Sequence, residues 1–155
     1  MKLATRYSLT TGYALMGSSI VFTLGYPLGD LLGGPPKYSG GSVTSLFGIK
    51  EDPRTLQIDN PVQPGNSGAP LFDTEGRIIG IVVSTLNAKF IFEEVGAIPQ
   101  NVNFAIKIEY LLNLIELLPE SQEILKRGIR SDNSQLSLEQ QIDLLIPSIV
   151  RVVSR

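Results

Sequence analysis

The chain has 155 residues and a mass of 16.8 kDa, with 43% hydrophobic and 18% charged residues, the composition of one folded domain rather than of a disordered segment. Its 13 Lys and Arg against 15 Asp and Glu leave a formal charge of −2, which supplies no electrostatic footprint for nucleic acid or an anionic membrane. The absence of cysteine and histidine excludes disulfides, zinc–thiolate centres and a cysteine nucleophile. A metal could be held only by carboxylates, no Asp-rich calcium loop is present, and no metal or cofactor is expected.

Met1-Lys2-Leu3-Ala4-Thr5-Arg6 carries the charge of a signal-peptide start, but Gly12, Gly17, Ser18 and Ser19 break the apolar segment that should follow. A signal peptide is therefore not the expected reading, and no apolar run reaches transmembrane length. The compartment stays open: cytoplasmic for the chain as it stands, periplasmic or secreted within a longer parent. Residues 1–17 read as an irregular segment or linker.

Ile20-Val21-Phe22-Thr23-Leu24 is β-branched and aromatic, stops at Gly25, and reads as a strand. Gly25 to Gly41, with Gly33-Gly34-Pro35-Pro36 inside it, reads as a long loop. Ser42 to Ile49 predicts a second strand, and Glu51-Asp52-Pro53 turns the chain into Thr55 to Ile58. After Pro64-Gly65-Asn66-Ser67-Gly68-Ala69-Pro70, an extended Ala69 to Phe72 leads through a short hairpin connection at Asp73-Thr74-Glu75-Gly76. Arg77 to Thr85 is almost continuously apolar, as a strand covered on both faces should be. A short segment at Phe90-Ile91-Phe92 precedes the last alternating strand, Val102 to Ile106.

The period then changes. Ile108, Leu111, Leu112 and Ile115 fall on one helical face, and Pro119 ends that helix. Leu114, Leu117 and Leu118 widen the apolar stripe, so the helix either packs on two sides or meets another domain or chain. A shorter helix is expected over Glu120 to Arg127. Ser137 with Gln140 forms a capping box for a third that stops before Pro147, and Ile149 to Val153 reads as a terminal strand. The expected plan is an irregular segment at 1–17, a β-domain at 18–106, a helix at 107–118 and a helical tail at 119–155.

The chemistry concentrates at Ser67. A serine between two glycines after a proline turn displays a hydroxyl at the lip of a β-structure, although on residue types alone a plain polar turn fits as well. Acyl transfer needs a base and an oxyanion hole. Gly65, lacking a Cβ, lets its peptide adopt the geometry that aims an N–H into the site, and the N–H groups of Gly65 and Ser67 could converge on a developing oxyanion. Asn66 between them shapes the loop, and Gly68 lets a substrate backbone come close. The Gly-x-Ser-x-Gly hydrolase elbow fails because residue 69 is alanine, and no phosphate-binding loop follows the glycines at 25–41.

Gly25-Tyr26-Pro27-Leu28-Gly29, Gly41 to Ser45, Leu56 to Asp59, Pro64 to Leu71, Arg77 to Ile81 and Asn101 to Ile106 come in an order that resembles trypsin-like serine peptidases, most closely the bacterial HtrA/Deg-type branch. The resemblance covers roughly residues 18–118. It implies a mainly β fold: a single six-stranded antiparallel β-barrel, the C-terminal half of a chymotrypsin-like double barrel, followed by a short helical tail. It also implies Ser67 as nucleophile, Gly65 and Ser67 as oxyanion donors, and a substrate-pairing strand that includes Val82, Val83 and Ser84. Pro61, Val62 and Asn103 would lie by a specificity pocket for a small or apolar side chain.

Two departures matter. Ala69 stands where the family usually has glycine, and the first barrel with its histidine and aspartate has no counterpart here. Asp59 and Asp73 read as loop acids satisfying backbone donors. The scattered tyrosines read as packing, Glu93-Glu94 as a solvated pair, and Lys126, Arg127 and Arg130 as complements to a helix dipole. The implied function is a trypsin-like serine endopeptidase, or a fragment of one, inactive alone. The alternative is a non-catalytic peptide- or protein-binding module. Expected partners are a polypeptide substrate or peptide, and a first-barrel domain or another chain over the exposed face.

Overall fold

A computed structural model of the chain describes residues 18–28, 33–83, 96, 101–123 and 135–152. Six strands form a closed antiparallel barrel: β1 (Ile20–Gly25), β2 (Lys37–Ser45), β3 (Thr55–Ile58), β4 (Pro70–Asp73), β5 (Ile78–Val83) and β6 (Asn103–Lys107). Their order around the ring is β1-β2-β3-β6-β5-β4, and β4 closes it on β1 with Phe22 opposite Phe72. This is the single six-stranded barrel that the resemblance implies.

The alternation of each strand sorts its side chains between two environments. Val21, Val43, Leu56, Ile58, Leu71 and Val82 meet inside the barrel, each fully buried. Removing a side chain of that size from water stabilises by about 1.5–3 kcal/mol. Phe22, Leu24 and Phe72 point outward and are buried as well, because a second helix covers them. That explains why neighbouring residues of β1 and β5, Val21 with Phe22 and Ile78 with Ile79, are apolar on both faces. Register shifts between Val43 and Ser45 and between Leu71 and Phe72 give the bends that a small closed ring requires.

Helix α1 (Ile108–Glu116) follows β6 directly and buries Ile108 and Leu112. Its outer stripe is exposed, Leu114 at 64%, and Leu117 just beyond it at 80%. Helix α2 (Leu138–Leu145) starts on the expected capping box, Ser137 accepting from the Gln140 N–H while the Gln140 side chain accepts from the Ser137 N–H. Leu145 is fully buried against the Phe22 cluster, and Gln141 Nε2 donates to the Thr74 carbonyl at 2.9 Å. Among the described residues no helix is long and apolar enough to cross a membrane.

Two expectations need correction. β2 begins at Lys37, so Gly40 and Gly41 belong to the strand and not to the preceding loop. A Cβ on Gly41 would lie 2.6 Å from Asp59 Oδ1 and 2.7 Å from the Asn60 nitrogen, so Gly41 marks a close approach within the sheet. The expected terminal strand is also absent over Ile149–Val152, which pairs with no strand of the ring. A closed barrel offers no edge there, and Ile149 packs on the outer cluster instead. Phe90–Phe92, Glu93-Glu94, the basic residues at 126–130 and the second half of the expected Glu120–Arg127 helix lie outside the described residues, while 121–123 are helical.

Candidate functional site

The serine loop hangs between β3 and β4 and is closed by backbone hydrogen bonds. Asn66 N–H donates to Gln63, Ala69 N–H to Asn66, and Leu28 N–H, arriving from the segment after β1, to Pro64 at 2.8 Å. Gly68 N–H donates to the Val82 carbonyl and Val82 N–H to Ala69, which fixes the loop to β5. The Gly65 N–H takes part in none of these.

Gly65 has φ +100° and Gly68 φ +84°, so Ser67 sits between two peptides that only glycine adopts readily. A Cβ on Gly65 would collide with the Tyr26 carbonyl oxygen. Asn66 is buried, its Oδ1 turned toward Gly25, where an added Cβ would lie 2.7 Å away, and that oxygen has no hydrogen-bond partner. Ser67 is exposed and borders a pocket of about 480 Å3 shared with Gly65, Gly68 and the chain from Ser148 to Val152. Among the described residues lining it, the ionisable side chains are Tyr26 and Arg151, and no carboxylate is present.

Asp59 and Asp73 are committed elsewhere, as the sequence predicts. Asp59 Oδ1 accepts from the Ser42 N–H. Asp73 accepts from the N–H groups of Glu75 and Arg77, both at 2.9 Å, and from Arg77 Nε at 2.6 Å. The resolved charge perturbation lies away from Ser67. A hydrogen bond from the Arg54 side chain, then one from its backbone, holds the Asp52 carboxyl below the usual aspartate range, and Asp52 raises Arg54 in return. The pair is bidentate, 2.9 and 3.0 Å, on an open surface.

Gly65, Asn66 and Ser67 thus share one loop, and Val82 is joined to it. Val82 offers a ligand little directly: its side chain is in the barrel core and both its backbone groups are taken by Gly68 and Ala69. Val62 packs in that same core, Val83 is half-buried on β5, and Ser84 lies outside the described residues. Asn103 is buried, its Nδ2 donating to the Asn60 carbonyl at 2.8 Å.

Sequence reasoning missed two residues. Asn60, fully buried, donates from Nδ2 to the Ser39 carbonyl at 3.0 Å and thereby ties β2 to the approach of the serine loop. Its signal was the polar Asp59-Asn60 step between an apolar strand and Pro61. Tyr26, read as packing, donates its hydroxyl to the Ile149 carbonyl at 3.1 Å across 123 positions of sequence, which no local pattern announces.

The profile of the family described as "Trypsin-like peptidase domain" matches residues 4–81. The chain is 47% identical over 92 residues (59% of it, 14% of that protein) to an uncharacterized protein of Sinorhizobium fredii. It is 35% identical over 112 residues (70% of it, 27% of that protein) to the serine protease Do-like HtrA of Lactococcus lactis subsp. lactis. A probable periplasmic serine endoprotease, DegP-like, of Hahella chejuensis is 36% identical over 73 residues, 47% of this chain and 14% of that protein. The matched stretches therefore span between 14% and 27% of these relatives. With half its length under that profile and a closed six-stranded barrel as its fold, the chain belongs to the trypsin-like serine peptidases, on their HtrA-type side.

Proposed function

We propose that this chain is the serine-bearing half of an endopeptidase site, completed by a histidine- and aspartate-bearing half on another segment or chain. Ser67 is the nucleophile, the N–H groups of Gly65 and Ser67 form the oxyanion hole, and Asn66 sets the loop between them. The observation that carries this reading is Gly65, held at φ +100° against Tyr26 with its N–H outside the bonds that close the loop. Ser67 Oγ would attack the peptide carbonyl carbon and pass its proton to the incoming imidazole. The oxyanion would collapse to an acyl-serine as the leaving amine takes that proton. Substrate backbone would run along β5 beyond Val83 toward Ser84, with Val62 and Asn103 behind the first side-chain pocket.

The sequence contains no histidine, so the chain alone has no imidazole base. A fluorophosphonate probe tests the reading. Labelling is expected when a first-barrel segment bearing the histidine is supplied, and it should vanish in Ser67→Ala. No Ser67-dependent labelling with that segment bound would overturn it.

The same absence favours a second reading, a peptide-binding barrel without catalysis. It predicts saturable peptide binding that survives Ser67→Ala, and peptide libraries that yield no binder would remove it.

A further inference from the structure

The pocket at Ser67 has one wall that does not belong to the barrel. α2 lies on the outward side chains of β1 and β4, with Ile142 and Ile146 packed against the Phe22 and Phe72 cluster. A 3-10 turn over Ile146–Ser148, with Pro147 in its first turn, ends the helical path, and Ile149 is extended at φ −84° and ψ 117°. From there Ser148 to Val152 runs along the pocket opposite Gly65, Ser67 and Gly68.

The Ile149 side chain sits on the cluster that contains Leu24, and its carbonyl accepts the Tyr26 hydroxyl at 3.1 Å. Val150 and Val152 are 76% and 91% exposed, and residues 149–152 pair with no barrel strand. An extended segment with a half-buried β-branched side chain on the cluster, a carbonyl that accepts the Tyr26 hydroxyl and two exposed valines has the contacts of a bound peptide, not those of a barrel strand.

We propose that the pocket beside Ser67 is a binding site for an extended apolar peptide, and that Ile149–Val152 is its resident ligand in cis. The site selects a β-branched apolar residue at the position of Ile149, whose carbonyl takes the Tyr26 hydroxyl. Release of the tail frees the pocket for a segment of the same chemistry in trans. This extends the reading of the Ser67 loop as a functional site, but binding here needs no nucleophile, so the two can fail separately.

The probe is a fluorescent synthetic peptide with the sequence of residues 146–155, titrated by anisotropy into the full-length protein. Full-length Ile149→Asp, its own tail weakened, should bind it at least tenfold more tightly than wild type. Tyr26→Phe added to that variant should lose several-fold. Should Ile149→Asp lose cooperative unfolding, Ile149→Ala takes its place, with a smaller gain in the same direction. In wild type, saturating peptide should speed hydrogen exchange at Ile149, whose N–H donates to the Ile146 carbonyl at 3.1 Å. A folded tail variant that binds the probe no better than wild type, or bound peptide that leaves tail exchange unchanged, overturns the proposal. Failure of Ser67 labelling in the previous test would leave these binding results untouched.

Discussion

Gly65 and Gly68 stand three residues apart with similar positive φ values, yet different things constrain them. At Gly65 a methyl group would strike the Tyr26 carbonyl as well as forcing a side chain into the left-handed region, whereas nothing lies within 4 Å of a methyl at Gly68. Gly65→Ala should therefore cost about 2 kcal/mol or more and displace the loop. Gly68→Ala, which adds backbone strain alone, should cost about 1 kcal/mol. Urea denaturation of both variants measures the difference, and equal losses would contradict the close packing at Tyr26. At Asp52 the relevant quantity is a titration. Its carboxyl is lowered by Arg54, so the pair's support is present above the ordinary aspartate range and is lost as pH falls through the lowered value. Carboxyl NMR should show Asp52 moving up toward its ordinary value in Arg54→Gln. Because the pair is exposed, thermal stability near neutral pH should barely change.

At the scale of elements, α1 and α2 differ in what they bury. Leu145 of α2 is fully enclosed, so Leu145→Ala should cost about 2–5 kcal/mol by thermal or urea unfolding. Ser137→Ala, which removes the cap, should cost about 1 kcal/mol. Leu117 at the end of α1 is exposed at 80%, and Leu117→Lys should stay within about 0.5 kcal/mol of wild type. This contrast also marks how far the sequence could be read. The Ser137–Gln140 box and the apolar period of α1 are local, so they were legible from a few neighbouring residues. The place of Gly41 in the strand was not, because the atoms that crowd it belong to Asp59 and Asn60, 18 and 19 positions downstream. Ile149 to Val153 looked like a strand because β-branched runs usually are, and only the closed ring left it without an edge to join. The Ser67 loop was readable because its glycines and proline lie side by side. Tyr26 and Asn60 were not, since each works through a partner distant in sequence.

For the whole molecule, the ring order decides when the structure can exist. β6 sits between β3 and β5, with Leu56 opposite Ala105 on one side and Ile81 opposite Ile106 on the other. The last strand in sequence is thus an interior member of the ring, while β1 already finds both its neighbours, β2 and β4, by residue 73. During synthesis from the N-terminus, everything up to Val83 can leave the ribosome while two facing strands still hold open, unpaired edges. Long-range pairings of this kind form slowly, and open edges invite association with other chains. Nascent chains stalled before Asn103 should therefore be digested readily by protease, and those stalled once Lys107 has cleared the exit tunnel should resist. Any split or shortened version of the protein inherits the same threshold: the serine loop will keep its shape only in a piece that carries β6.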